Sequence, residues 1–84
     1  MPKELIKVYY DHVLYEYDHG DLLLSVTCGT SAVFTMNYLL TEEDKEQYKQ
    51  NGPSYIARLA SRIQSNPNMF EKENNQAREW LSKQ

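Results

Sequence analysis

Two histidines, each preceded by an aspartate, interrupt the tyrosine-rich stretch YYDHVLYEYDHGD (Tyr9 to Asp21). A histidine beside a carboxylate is part of a nucleophilic triad, and the same residue types ligate zinc. Asp11, His12, Asp18, His19 and Asp21 are thus candidate ligands, and Cys28 is a candidate nucleophile. The spacing argues against both chemistries. No His-x3-His or Cys-x2-Cys pair holds two ligands on one helical face or knuckle. If the segment between the Asp-His pairs is a strand, His12 and His19 stand at its opposite ends, about 20 Å apart at about 3.3 Å per residue. Cys28 has no glycine-bounded elbow before a helix, and it shares the parity of apolar positions, which reads as a small buried hydrophobe. Gly20, Gly29 and Gly52 each stand alone, so no phosphate-cradling loop is present. The expectation is a protein that is not an enzyme, with no catalytic residues, no metal and no cofactor.

A chain of 84 residues with 40% hydrophobic and 25% charged side chains is ordinary for one small globular unit, taken here as a single domain over 1–84. The longest apolar stretch, LLLSVTCGTSAVFTMNYLL, is broken by small polar residues and Gly29 and alternates as strands do, which excludes a membrane helix. The start, MPKELIKVYYDH, lacks the apolar run and cleavage site of a secretory signal. With Cys28 as the sole cysteine, the expected setting is reducing and cytoplasmic. The net charge of −3 is unevenly spread. Residues 1–44 carry two lysines against eight acids, whereas residues 45–84 carry seven basic and four acidic side chains.

The parity of apolar positions predicts the sheet. Even positions are apolar at Ile6, Val8 and Tyr10, odd ones at Val13, Tyr15 and Tyr17, and even ones again from Leu22 to Cys28 and from Ala32 to Leu40. Directly opposed side chains share a face. A two-residue turn at His19-Gly20 therefore pairs Tyr17 with Leu22, Tyr15 with Leu24 and Val13 with Val26. A three-residue loop, Gly29-Thr30-Ser31, pairs Cys28 with Ala32 and Val26 with Phe34. The first phase change, at Asp11-His12, fits either a tight turn or a bulge in one long strand. Both Asp-His pairs are thus read as turn or bulge residues.

Thr41 is placed to cap a helix whose first turn is acidic, ending at Asn51-Gly52 before Pro53. The segment PSYIARLASRIQSNP puts Tyr55, Ile56, Leu59, Ala60 and Ile63 on one stripe and stops at Asn66-Pro67. The last segment can align Phe70, Ala77, Trp80 and Leu81, but EKENNQ is polar enough to predict fraying. The expected fold is α+β: an antiparallel meander of three to four strands (about 4–40), then two to three helices packing on one sheet face. Leu24, Val26, Phe34, Met36, Leu59 and Ile63 form the expected core. The second face, with Leu5, Tyr9, Leu14, Leu23, Val33 and Leu39, is half apolar; the C-terminal segment would cover part of it, and a second copy or a partner the rest.

In size, acidity and strands-then-helices layout the chain resembles small bacterial immunity and inhibitor proteins, which block a toxin by binding it. The resemblance is architectural and carries no diagnostic motif. It implies a small non-enzymatic protein-interaction module with a basic protein partner. Asp18, Asp21, Glu42, Glu43 and Asp44 are the expected partner-binding residues, gathered at one sheet end. Nucleic-acid binding through Arg58 and Arg62 is the alternative, disfavoured by negative net charge and by the thinness of the basic patch. A small homodimeric domain is the other alternative.

Overall fold

The computed structural model describes residues 2–29 and 32–84. It contains a four-stranded antiparallel sheet in the order β1-β2-β3-β4, from Lys3–Val8, His12–Glu16, Leu22–Cys28 and Phe34–Leu39. Three helices follow: α1 (Glu42–Asn51), α2 (Pro53–Ser65) and α3 (Glu71–Ser82). The α+β meander expected from parity is therefore the fold.

The register of β2 against β3 differs from the parity reading by one residue. Leu14 faces Leu24, His12 faces Val26 and Tyr15 faces Leu23. The connection is three residues long, Asp18–Gly20, and not two. His19 (φ 70°) and Gly20 (φ 83°) both take left-handed backbone, and the Tyr17 N–H donates to Asp21 O at 2.8 Å. One extra loop residue slips the pairing and turns every β2 side chain to the other face. Leu14 consequently enters the core with no exposure, against its expected place on the second face. Val13, Leu14 and Tyr15 are all apolar, so alternation alone does not select the face of β2.

The β3–β4 parity is as read, but the pairing lies two residues farther on: Cys28 faces Phe34 and Val26 faces Met36. Thr30 and Ser31 of the expected loop lie outside the described residues. The shift moves Phe34 from the middle of the sheet to its end, where it is 45% exposed and no part of the core. The first connection is a turn over Tyr9 and Tyr10, closed by the Asp11 N–H to Val8 O at 3.0 Å. Asp11 closes this turn, as expected of a turn residue, but His12 already begins β2 and is buried, so the turn is centred on Tyr9-Tyr10 and not on Asp11-His12, and no bulge lies there. A bulge does occur in β1, between Glu4 and Ile6. It lets Leu5, expected on the second face, pack with Ile6 against the core.

The first sheet face is covered by the stripe Ile56, Leu59, Ala60 and Ile63 of α2, packed with Leu14, Leu22, Leu24, Val26, Cys28 and Met36. Beyond Asn66, a short turn Pro67–Phe70 carries the chain around β4, and Phe70 packs edge-on to Tyr38. There α3 reaches β4 and the second face. Its Trp80 stacks edge-on against Tyr17 with ring centroids 4.9 Å apart, and Ala77 and Leu23 are buried. Contacts thus hold α3 as helix through Ser82, despite its polar EKENNQ segment. Asn74 also accepts the Asn37 N–H at 2.8 Å, which satisfies an outward-pointing group of β4. Leu59→Ala is expected to lower stability by about 2–5 kcal/mol, as buried leucine truncations do, measured as a shift in the denaturant midpoint at constant m.

Candidate functional site

The five acids read as one surface divide into two groups. Asp44 lies at the third position of α1, in Thr41-Glu42-Glu43-Asp44, and forms a reciprocal capping box with Thr41. The Asp44 N–H donates to Thr41 Oγ1 at 3.1 Å, while the Thr41 N–H and hydroxyl donate to the carboxylate at 3.1 and 2.9 Å. Two phenols converge on the same group: Tyr38 from β4 donates to Oδ2 at 2.7 Å, and Tyr55 from α2 donates to Oδ1. Burial raises the Asp44 pKa, but the bonds from Tyr55, Tyr38 and Thr41 outweigh it and hold the carboxyl below its usual range. Burial and the neighbouring carboxylate in turn push Tyr55 up to about 12. At 8% exposure Asp44 is a buried anchor of three elements, and not part of a docking surface. The capping-box spacing is visible in the sequence; the convergence of Tyr38 and Tyr55 depends on tertiary packing and leaves no sequence signal.

Asp18, Glu42 and Glu43 are exposed, and Asp21 is half-buried. The Leu40 N–H donates to Leu22 O at 2.9 Å, which sets the start of α1 beside the β2–β3 turn. The two acidic groups are therefore neighbours at one sheet end. Lys45 pairs with Glu42 at 3.2 Å and offsets part of the charge.

At the other sheet end, Asp11 and His12 form a small polar group. His12 Nδ1 lies 2.5 Å from Asp11 Oδ2, and Gln64 of α2 donates to Asp11 Oδ1 at 2.9 Å and to Thr27 O at 3.2 Å. The Gln64 bond, followed by that of His12, lowers the Asp11 pKa. These bonds tie the end of α2 to the first turn. Cys28 is buried, its thiol 3.9 Å from Val26 O, and burial raises its pKa, the opposite of what a nucleophile needs. Thus the structure does not join Cys28, His12 and Asp11 through hydrogen bonds. His19 sits in the turn beyond the far end of β2, away from His12. Among the described residues, no three His, Cys, Asp or Glu side chains are grouped to hold a metal ion.

The same end carries a feature that the parity reading missed. Tyr9 and Tyr10 are 75% and 87% exposed, and Val33 across the sheet is 66% exposed. Val8 and Phe34, at the same end of the two edge strands, are 44% and 45% exposed. The tyrosine rings meet edge to face, centroids 5.1 Å apart, and Lys7 Nζ lies 5.5 Å above the Tyr9 ring. Behind Tyr10 a cleft of about 480 Å³ is lined by Thr27, Cys28, Gly29, Val33 and Gln64. Tyr10 itself has φ 59°, a conformation uncommon for a bulky side chain. The sequence signal is the YYD triplet at a phase change, where the parity pattern counts Tyr10 with the first strand.

Arg58 and Arg62 are exposed on α2 beside Tyr55 and Leu59 and line a shallow depression of about 230 Å³. Among the described residues, no helix is long and apolar enough to cross a membrane. Comparison with known proteins finds no matching family model, no matching curated protein and no matching solved structure.

Two outcomes test these environments. A carboxylate whose folded pKa is depressed contributes stability above the unfolded value, about 3.9, and loses it as the pH falls through the folded value. Asp44→Asn should therefore lower stability at neutral pH by roughly 2–4 kcal/mol through the lost cap and phenol bonds, and flatten the fall below pH about 4. Denaturation series at several pH values measure both effects. Cys28 should react slowly with a thiol reagent near neutral pH in the native state and at the rate of a free thiol once unfolded; rapid native labelling would contradict its placement.

Proposed function

We propose that this protein is a non-enzymatic protein-interaction module that docks through the tip formed by Tyr9, Tyr10, Val33 and Phe34. The observation that carries the reading is Tyr10, a bulky side chain that is both strained and exposed. Left-handed backbone costs a non-glycine residue about 1–2 kcal/mol, and an exposed ring returns little of it in the free protein. Tyrosine is enriched among residues that dominate binding energy, and clustered exposed apolar groups mark interaction sites. The reading needs no cofactor, no metal and no nucleic acid, and the lone buried cysteine is compatible with a reducing, cytoplasmic setting.

A second reading rests on the acidic end. Asp18, Asp21, Glu42 and Glu43 would attract a basic protein and speed its association, as in an immunity- or inhibitor-like protein. The Leu40–Leu22 hydrogen bond supports it by joining the two groups, while the inward turn of Asp44 and the Lys45 pair weaken it. Binding of nucleic acid by Arg58 and Arg62 has only two exposed arginines in its favour.

Affinity capture from the source cells separates these readings. Tyr10→Gly should raise stability by about 1 kcal/mol, because glycine takes φ 59° freely, and together with Tyr9→Ala should weaken capture by roughly 30-fold. Replacing Asp18, Asp21, Glu42 and Glu43 with Asn or Gln should leave capture nearly unchanged. Retained capture by the tip variant, with loss in the acid variant and steep salt dependence, would overturn the first reading in favour of the second.

A further inference from the structure

The two edges of the sheet are treated differently. On the β4 edge, α3 packs against the strand and Asn74 takes up the Asn37 N–H. On the other edge, β1 pairs with β2 alone, and among the described residues the only other backbone group bonded to it is the Asp11 N–H at Val8 O. Lys3, Glu4, Lys7 and Val8 are exposed along it. An open strand edge is a template for another strand.

The side-chain pattern of β1 selects the strand that fits. Pairing with β2 puts Lys3, Ile6 and Val8 on the core face, opposite Glu16, Leu14 and His12. Glu4 and Lys7 lie on the other face, opposite Tyr15 and Val13. The bulge at Leu5 creates this arrangement: it brings Glu4 and Lys7 to one side, where they form a loose 3.9 Å ion pair, and lets Leu5 join Ile6 against the core.

We propose that a second copy of this chain adds to the open edge, β1 against β1 in antiparallel orientation, about a two-fold axis perpendicular to the sheet. Such an axis keeps equivalent faces on the same side. In the register that sets Leu5 opposite Ile6 of the second copy, Glu4 meets Lys7 and Lys3 meets Val8, and every pair shares a face. A shift by one residue in either direction breaks this match, setting Glu4 against Ile6 or Val8 from the opposite face. The preferred register is therefore also the one in which opposite charges meet twice, once on each side of the axis. A six-residue strand pair buries little area, so the dimer is a weak, concentration-dependent one. It uses the edge of β1 and leaves the Tyr9-Tyr10 tips free at opposite ends of the joined sheet, so it stands independently of the docking reading.

The test is a charge-swap cycle followed by sedimentation equilibrium over a concentration series. The wild-type chain is expected to dimerise. Glu4→Lys alone or Lys7→Glu alone would face like charges across the axis twice and should raise the dissociation constant by roughly tenfold, given the usual size of cross-strand charge effects. The double variant Glu4→Lys/Lys7→Glu should restore wild-type association. Both positions are exposed, and unchanged melting of each variant controls for folding. A wild-type chain that stays monomeric to millimolar concentration would overturn the proposal. So would a dimer indifferent to all three variants.

Discussion

The pairing of β2 with β3 decides what every other part of this structure can do. Setting Leu14 opposite Leu24 commits Leu14 and His12 to the side covered by α2, and Tyr15 and Tyr17 to the side reached by α3. One residue of slip would exchange these sets, pushing tyrosines under Ile56 and Ile63 and leaving Leu14 outside. The register is held by loop geometry at Asp18–Gly20 and by packing on both faces of β3, where Leu22, Leu23 and Leu24 are all buried. A strand buried on both faces needs both helices in place, which ties α3 to the same constraint.

Polar anchors complete what apolar packing begins. Asp44 joins β4, α1 and α2 through one carboxylate, and Gln64 ties the end of α2 to Asp11 and to β3. Such groups are costly to bury unless satisfied, so each fixes the relative position of the elements that satisfy it. The consequence is polarity along the sheet. One end carries the acidic turn and the start of α1, and the other carries the strained Tyr10 and its apolar neighbours. Across the sheet, β4 is covered while β1 is open.

Much of this was legible in the sequence. Thr41, Gly52, Pro53 and Asn66-Pro67 mark helix ends by local backbone chemistry, and the α2 stripe shows its buried face directly. The meander followed from parity. The faces of β2 did not, because Val13, Leu14 and Tyr15 are apolar on both parities and the length of a His-Gly loop is settled by hydrogen bonds. Parity cannot place Phe34 for a similar reason, since an apolar residue on the core face can still lie at the sheet end. The roles of Asp44 and Gln64 depend on partners far away in the chain, and no spacing rule announces them. The candidate site was the least legible part, because exposure of Tyr9 and Tyr10 depends on where the turn falls.

The register itself can be observed by measuring cross-strand proton contacts in the labelled protein by nuclear magnetic resonance. The account predicts backbone contacts that place Leu14 opposite Leu24 and His12 opposite Val26. Contacts placing Tyr15 opposite Leu24 and Val13 opposite Val26 would contradict it, since they would return Leu14 to the second face and undo the arrangement of core and edges described here.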